Sequence, residues 1–360
     1  MGANIAIIGE QATGKSCLLN YLSGKGTLKS GKKPCSKPKS YKHKQNESLK
    51  FWEIPLGGAG KYGNKKIFLD LIEVDKFDYV ILVTKNYIRG QMAWLSQNLI
   101  SLNIPHCIVR TFMDDAINTS KLKYPLSHSS EKMVANAKRL LRESYIDQGG
   151  KLSEEVPFYI VGNGTPELYD MSCIIEGLLR NSSENVQKSV SLSLKPLSKS
   201  IINAKVQALS SRFWLLGVES AMAGGRVAGH ARLFADFKMI KDEINFIKQQ
   251  LGINSEAISK LASAFPDQAH IYDLIDKCSI DIGSLKDLLQ KSSDHQDNDE
   301  FIRCCKNVTF RWWLTQQQAT SSFTTVSGLC QFMLMHMEDI ALKILQLKNG
   351  GVLEMDGMRV

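Results

Sequence analysis

The chain contains no Cys-x-x-Cys pair. Its eight cysteines lie scattered through 360 residues, which argues against a disulfide framework or a clustered zinc site and for a reducing compartment. A long apolar run is missing too. The longest stretch without a formal charge, Trp312 to Met337, holds Gln316, Gln317, Gln318 and many Ser and Thr residues, and would make a poor membrane span. No secretory leader is visible, because the apolar segment Ala3–Ile8 is short and runs straight into a glycine loop. The seven histidines are widely separated; His43 and His106 read as structural, and no Ser/His/Asp or Cys/His grouping stands out. No repeat recurs at a fixed period. Acidic residues are scarce where basic ones crowd, since nine lysines stand against Glu47 alone between Gly24 and Lys50.

What is present describes an ordered protein. Hydrophobic residues make up 43% and charged residues 22% of the chain, which excludes disorder and fibrous structure. A length of 360 residues exceeds what one compact core usually holds, so two units are expected. Through the first half, short apolar runs alternate with helical stretches. The strand candidates are Ala3–Ile8, Leu49–Ile54, Asp78–Thr84, His106–Thr111 and Val156–Val161. Helical periodicity fills the gaps at Lys15–Leu22, Met92–Leu99 and Lys132–Tyr145. Continuously apolar strands alternating with helices predict a mostly parallel sheet with helices on both faces. The texture changes after Asn181, where a Ser/Lys-rich stretch runs to Ser200 and no convincing strand follows. Phe234–Leu251, stopping at Gly252, and then Ser255–Ala264 and Phe332–Leu347 carry helical spacing. The expected division is residues 1–180, 181–350 as an all-helical domain, and a tail over 351–360.

The strongest local signal is Gly9-Glu-Gln-Ala-Thr-Gly14-Lys15-Ser16, directly after an apolar strand and opening a helix. It matches the phosphate-loop pattern in the context that pattern requires. Gly9 and Gly14 leave room for the backbone amides of Glu10, Gln11, Ala12, Thr13 and the residues through Cys17 to wrap phosphates. Lys15 is placed to reach the terminal phosphates and the Ser16 hydroxyl to ligate Mg2+. The helix N-terminus adds its positive dipole end. Nucleotide binding follows, but this loop does not choose the base. The Val109–Asp114 run and the Ile160–Asn163 run fall where a Ras-like G domain keeps its base-recognition elements. An Asp carboxylate accepts hydrogen bonds from guanine N1 and N2, which adenine cannot supply, and Asp114 is the candidate for that role.

Several blocks together resemble the immunity-related GTPases, the interferon-inducible, dynamin-like large G proteins. Gly9-Glu10 with Gly14-Lys15-Ser16, then Asn20, Leu22 and Gly24, looks like that family's first loop and helix. Ser40-Tyr41-Lys42-His43 ahead of Phe51-Trp52-Glu53-Ile54-Pro55 looks like its Pro-Tyr-x-His and Phe-Trp-Asp-Leu-Pro-Gly pair. Val109-Arg110-Thr111 before Asp114 looks like its Val-Arg-Thr-Lys-x-Asp. Arg212-Phe213-Trp214-Leu215, Leu251-Gly252-Ile253-Asn254 and Ser322-Phe323-Thr324-Thr325 are similar to its helical-domain signatures. The resemblance implies a Ras-like α/β G domain followed by an all-α helical domain, GTP/GDP and Mg2+ binding, and slow hydrolysis. It further implies GTP-dependent homo-oligomers formed through the G domain, on membranes, in cell-autonomous defence. The site residues it implies are the Gly9–Cys17 loop, Gly57, Thr111, Asp114, Gly162 and Asn163 for the nucleotide, and Ser16, Ser36 and Glu53 for the metal. Asn163 or its neighbouring amides would meet the base.

The chain departs from the family pattern at four places. Glu53 stands where the family has Asp, and Leu56-Gly57-Gly58 replaces the following Gly, so Gly57 or Gly58 would have to supply the amide that senses the γ-phosphate. Cys35 takes the place of the switch threonine, with Ser36 beside it as a hydroxyl donor. Phe112 replaces the lysine of the guanine motif. The first strand starts by residue 3, where family members carry a preceding helical segment. The first three changes touch metal, phosphate or base contacts, so a non-hydrolysing scaffold that uses the G domain for protein–protein contact stays open beside the slow GTPase. An ATP-dependent enzyme gains only from Phe112.

Other patches weigh less. The Lys25–Lys50 cluster suits an anionic partner or a solvated loop, and with only Tyr41 inside it, it does not suit nucleic acid. Phe301–Leu314, which carries Cys304 and Cys305, reads as a membrane-surface helix or as an amphipathic helix packed in the helical domain. Asp294–Glu300 lacks calcium-loop spacing and reads as solvated. The expected location is cytoplasmic, with peripheral attachment to an anionic intracellular membrane surface.

Overall fold

The structure, a computed structural model, describes residues 3–24, 37–44, 46–57, 64–151, 156–181, 184–224, 230–264 and 322–348. Lys25, Lys29, Lys32 and Lys33 of the lysine cluster, Cys35, Ser36, Gly58, the Asp294–Glu300 and Phe301–Leu314 segments and the tail lie outside the described residues. The chain divides into two compact units, Met1–Leu197 and Ser198–Val360.

The first unit is built on a six-stranded sheet of order β2-β3-β1-β4-β5-β6. Its strands are β1 (Ala3–Gly9), β2 (Lys39–Lys42), β3 (Leu49–Pro55), β4 (Tyr79–Thr84), β5 (His106–Arg110) and β6 (Phe158–Ile160). All pairings are parallel except the β2–β3 edge. β1 pairs with β3 on one side and β4 on the other, in a register that sets Gly9 level with Pro55 and Val83. Strands buried on both faces must be apolar throughout, and Ile5, Ile7, Ile8, Val80, Ile81, Leu82, Cys107 and Ile108 have no exposed surface. The helices are α1 (Lys15–Ser23), α2 (Lys65–Ile72), α3 (Gly90–Ser101), α4 (Met113–Lys123), α5 (Ser130–Asp147), α6 (Met171–Arg180) and α7 (Glu184–Ser193). This order and these directions are those of a Ras-like G domain.

Two elements are masked by a polar composition and owe their place to tertiary contact. β2 is a polar edge strand, Lys-Ser-Tyr-Lys, with Tyr41 alone half-buried. α7 falls in the Ser/Lys-rich stretch, yet its Val186 and Val190, with Leu194 just past its end, make a buried stripe at four-residue spacing. A polar clamp holds it to the β2–β3 turn: the Asn46 amide donates to Ser189 O (3.2 Å), Ser189 Oγ (2.8 Å) and Ser193 Oγ (3.0 Å). Inside the sheet's flank, buried His106 has both ring nitrogens engaged, by Ser96 Oγ at 2.8 Å and Ile104 O at 3.1 Å. Ser96 Oγ also lies 2.9 Å from Tyr145 Oη. That network joins α3, α5 and β5, and accounts for His106 as a structural residue.

The described part of the second unit is helical: α8 (Lys199–Gly224), α9 (His230–Leu251), α10 (Ser255–Ala264) and α11 (Ser322–Lys348). Ile201, Leu209 and Phe213 of α8, Ile240, Ile244 and Ile247 of α9, and Leu334, Met337 and Ile340 of α11 are buried. Arg212 makes a two-pronged pair with buried Glu243, at 3.0 and 3.1 Å, and lies 4.5 Å over the Phe246 ring.

Lys205 of α8 is 1% exposed, and its Nζ donates to the neutral Gln250 Oε1 at 3.3 Å. Burial pushes its ammonium down from 10.5 to about 7. A lysine lowered in this way takes up fewer protons folded than unfolded between those two values, so stability rises with pH across that window. The full penalty applies below it, on the order of 5 kcal/mol for such a shift. Lys205→Met is therefore expected to raise the thermal unfolding midpoint at pH 7. The gain should shrink by pH 9.5, and a gain equal at both pH values would show that Lys205 is not the titrating group.

Candidate functional site

The site forms where parallel strands end. Gly9 closes β1, and a Cβ there would meet Val83 O at 2.3 Å and Thr13 Oγ1 at 2.9 Å. Only glycine lets the chain pass between neighbouring strands and turn back over their ends. The loop then folds on itself. Thr13 Oγ1 donates to Glu10 O at 2.9 Å, and Lys15 Nζ donates to the same carbonyl at 2.5 Å. Gly14 adopts φ +83°, from which α1 starts with no side-chain cap. An uncapped helix start of this kind offers its first amides to an anion. Leu18 N and Cys17 N both donate to Gly14 O at 3.1 Å. Lys15 is buried under the loop. Gln11 and Ala12 lie exposed at the loop's tip, with Ala12 at φ +59°, and Glu10 pairs with Arg89 across the rim at 3.0 Å.

The two described members of the expected metal set come together. Ser16 Oγ donates to Glu53 Oε1 at 2.7 Å. Glu53 is 6% exposed, and Tyr41 Oη lies 3.5 Å from its other oxygen. Just beyond, Leu56 N donates to Gly9 O at 3.0 Å, and the Leu56 side chain is packed into the core. Gly57 follows at φ +80°, with Gln91 Oε1 3.3 Å from where a Cβ would stand. Among the described residues no cluster of three or more His, Cys, Asp or Glu could hold a metal. The donor set is instead one hydroxyl and one carboxylate, a hard-oxygen pair that suits Mg2+ with waters and phosphate oxygens completing its shell.

The residues expected to meet the base converge from β5 and β6. Thr111 is 1% exposed, and its Oγ1 donates to Thr13 O at 2.7 Å and reaches Thr84 O at 3.2 Å. One hydroxyl therefore ties the phosphate loop to the end of β4. Phe112 sits at φ +59° and ψ +30° ahead of α4, and Lys85 Nζ lies 4.8 Å from its ring centroid. Asp114 Oδ2 accepts from Gly164 N at 2.6 Å and Oδ1 from Asp115 N at 3.0 Å. Burial raises the Asp114 carboxyl's pKa, but backbone N–H groups of Gly164, Asn163, Asp115 and Thr165 outweigh it, and the net shift is downward. A Cβ on Gly162 would meet the Asp114 carboxyl carbon at 2.9 Å, and one on Gly14 would meet the Asn163 amide at 3.1 Å. Asn163 Nδ2 is buried without a hydrogen-bond partner, and it lies directly over the phosphate loop.

Every described site residue expected from sequence thus lies at one end of the sheet, while Ser36 lies outside the described residues. Sequence reasoning missed the tie from Thr111 to Thr13, the Lys85–Phe112 contact and the Glu10–Arg89 pair. All three join segments far apart in the chain; the one available signal was that Lys85 and Phe112 each directly follow a strand. A cavity of about 320 Å³ lined by Ile100, Ile104, Pro105, His106 and Asn181 sits at the opposite, N-terminal end of β5 and takes no part. No helix among the described residues is long and apolar enough to cross a membrane.

Interferon-inducible GTPase 1 of Mus musculus is 21% identical over 265 residues, covering 72% of this chain and 63% of that protein. T-cell-specific guanine nucleotide triphosphate-binding protein 2 of Mus musculus is 23% identical over 267 residues, with the same coverage of 72% and 63%. The chain therefore spans about 63% of the length of the curated relatives it matches. Among solved structures, a dimerization-deficient mutant of Toc33 from Arabidopsis thaliana is similar at 14% identity and TM-score 0.34, over 45% of this chain and 71% of that one. NFeoB from S. thermophilus bound to GDP·AlF4⁻ and K⁺ is similar at 16% identity and TM-score 0.32, over 80% of this chain and 91% of that one. At such scores the fold assignment rests on the strand order and directions themselves. The profile of the interferon-inducible GTPase (IIGP) family matches residues 2–308, and the chain belongs to that family.

Proposed function

We propose that the chain binds GTP and GDP with Mg2+ and hydrolyses GTP slowly. One observation carries the reading: the Thr111 hydroxyl, donating to Thr13 O at 2.7 Å, holds the phosphate loop and the Asp114 base reader in a single frame. In that frame the loop amides and Lys15 hold phosphates, with Lys15 exchanging Glu10 O for phosphate oxygen. Ser16 and Glu53, whose oxygens are 2.7 Å apart, hold Mg2+, the carboxylate through water. Bound magnesium supplies charge neutralisation on the phosphate oxygens. Asp114 stays ionised because loop amides favour its charge. It can accept guanine N1–H and N2–H by exchanging part of that amide set, since a carboxylate offers about four acceptor positions. Family membership supports a further part of the proposal: GTP-dependent self-assembly through the G domain, peripheral attachment to an anionic intracellular membrane surface, and a role in cell-autonomous defence.

A second reading, a nucleotide-binding scaffold that does not turn over, is favoured by a specific contact. The Leu56 amide, which occupies the position of a γ-phosphate sensor, is spent on Gly9 O at 3.0 Å, and its side chain is anchored in the core. Phosphoryl transfer depends on positioned donors at the γ-phosphate, so a committed Leu56 amide slows turnover in the first reading and abolishes it in the second.

Asp114→Asn turns one acceptor oxygen into a donor, and xanthine nucleotides present the matching acceptor. The variant is expected to shift preference from GDP toward XDP by at least about tenfold, roughly 1.4 kcal/mol, in calorimetric titration. An unchanged preference would remove Asp114 from the base site. Leu56→Gly releases the side-chain anchor and should raise the single-turnover rate of GTP cleavage by about tenfold. If neither the parent chain nor this variant cleaves GTP while both bind it, the scaffold reading holds.

A further inference from the structure

Three strongly exposed apolar side chains gather where α4 ends. Leu122 is 85% and Tyr124 61% exposed, and Leu126 is fully so. Single exposed leucines are ordinary on a protein surface, whereas several together mark a contact. The reason for their exposure lies in α4. Met113 and Ile117 are its buried residues, both in its first half. Residues 121–127 are exposed without interruption, so the last turn of the helix and the turn after it stand out from the sheet's flank as a spur.

Polar groups at its base hold the spur closed. His128 spans the turn, with Nδ1 3.0 Å from Ser120 Oγ and Nε2 2.9 Å from Ser130 Oγ. Tyr124 N donates to Ser120 O at 2.8 Å and Ser127 N to Tyr124 O at 3.2 Å, while Pro125 between them fixes one backbone angle. Ser129 caps α5 by accepting from Lys132 N at 3.3 Å. The histidine and these serines are spent on closing the turn, which leaves the side chains of Leu122, Tyr124 and Leu126 on its outside. The ordering entropy of presenting them is therefore already met in folding. The charge around them has one sign. Lys121 and Lys123 flank Leu122 in the last turn of α4, and no acidic residue occurs from Ala116 to Ser130.

We propose that this spur docks on the surface of an anionic bilayer. Leu122 and Leu126 enter the boundary between headgroups and acyl chains, Tyr124 lies at headgroup level, and Lys121 and Lys123 meet the anionic headgroups. The inference rests on the membrane-attachment reading above and gives it a site. Two features select a bilayer over a protein partner. The apolar side chains stand on a convex turn, where a protein interface packs its core side chains into one continuous, close-fitting face; a fluid headgroup layer accepts separate insertions. The residue types also match a bilayer's layers: apolar for the boundary, Tyr for the interface and Lys for the charged surface. Neither the Lys25–Lys50 cluster nor the Phe301–Leu314 segment includes the spur.

The test is sedimentation of the full chain with vesicles of phosphatidylcholine and phosphatidylserine in equal parts, beside vesicles of phosphatidylcholine alone. The parent chain is expected to bind the mixed vesicles and to leave them as salt is raised. Leu122→Ser and Leu126→Ser should each weaken the partition about tenfold, and Lys121→Gln and Lys123→Gln about fivefold each. Leu126→Trp, which restores an interfacial anchor, should bind as well as the parent. All five variants should unfold at the parent's temperature, because the altered side chains are exposed. The chain carries a net charge of +9, so the leucine variants decide. If both bind the mixed vesicles like the parent, the spur is not the contact, the proposal falls and membrane attachment itself stands. Equal partition onto both kinds of vesicle would also overturn it, since the lysines would then do nothing. A parent chain that binds neither kind removes both readings. Self-association of the parent in light scattering, lost in Leu126→Ser while vesicle binding is unchanged, would make the spur a contact between copies of the chain and overturn the proposal.

Discussion

The carbonyl of Val83 lies 2.3 Å from where a side chain at residue 9 would begin, and the rest of the site depends on that close approach. β1 is central, paired with β3 and β4 at once, so its last residue is hemmed in on both sides and cannot drift outward. The chain must turn over the strand ends immediately, and it does so through the loop that closes on Glu10 O and leads into α1. A sheet of this kind places ligands at the carboxyl ends of its strands, where loops are free to vary without disturbing the core. The apolar character of β1, β4 and β5 is thus the first cause of the site, and the polar groups are arranged around the edge it creates.

Those polar groups form two chains of contact that meet at the loop. On the side proposed for magnesium, Tyr41 of the edge strand, Glu53 of β3 and Ser16 of α1 stand in line. On the base side, Thr111 binds Thr13 O, and Asp114 is held by the turn that follows β6. Each chain has one weak member. Leu56 takes a place where an uncommitted amide would be useful, and Phe112 takes a place where a cation would be. Beside Phe112, Lys85 Nζ lies 4.8 Å from the ring centroid. For the first, the structure offers Gly57 at φ +80°, whose free rotation permits an adjustment that Leu56, fixed in the core, does not.

Much of this was legible in the sequence, for identifiable reasons. The central strands are short, apolar and bounded by turn residues, so burial alone marks them. Gly9, Gly14, Lys15 and Ser16 are legible because their chemistry fixes both type and spacing. Asp114 is legible from its place after Val109-Arg110-Thr111. What was not legible came from contacts between distant segments. β2 is a strand only because β3 offers it an edge, and its Lys-Ser-Tyr-Lys sequence has no apolar alternation. α7 hides its stripe of Val186 and Val190, with Leu194 just past its end, in a polar composition. Thr111 to Thr13 and Lys85 to Phe112 require the strand register, which no local pattern prints. In the second unit, Lys205 breaks the rule that a buried lysine is paired with a charge, and nothing in its neighbourhood along the chain announces that.

The central claim is that one end of this sheet is a guanine-nucleotide site despite Glu53, Leu56 and Phe112. Calorimetric titration of the parent chain with GDP and ADP, each with magnesium, tests it most directly. The account predicts saturable GDP binding at least about tenfold tighter than ADP, the ratio expected when paired buried contacts to the guanine edge are lost. Equal affinity for the two, or no heat from either at high micromolar concentration, would contradict it.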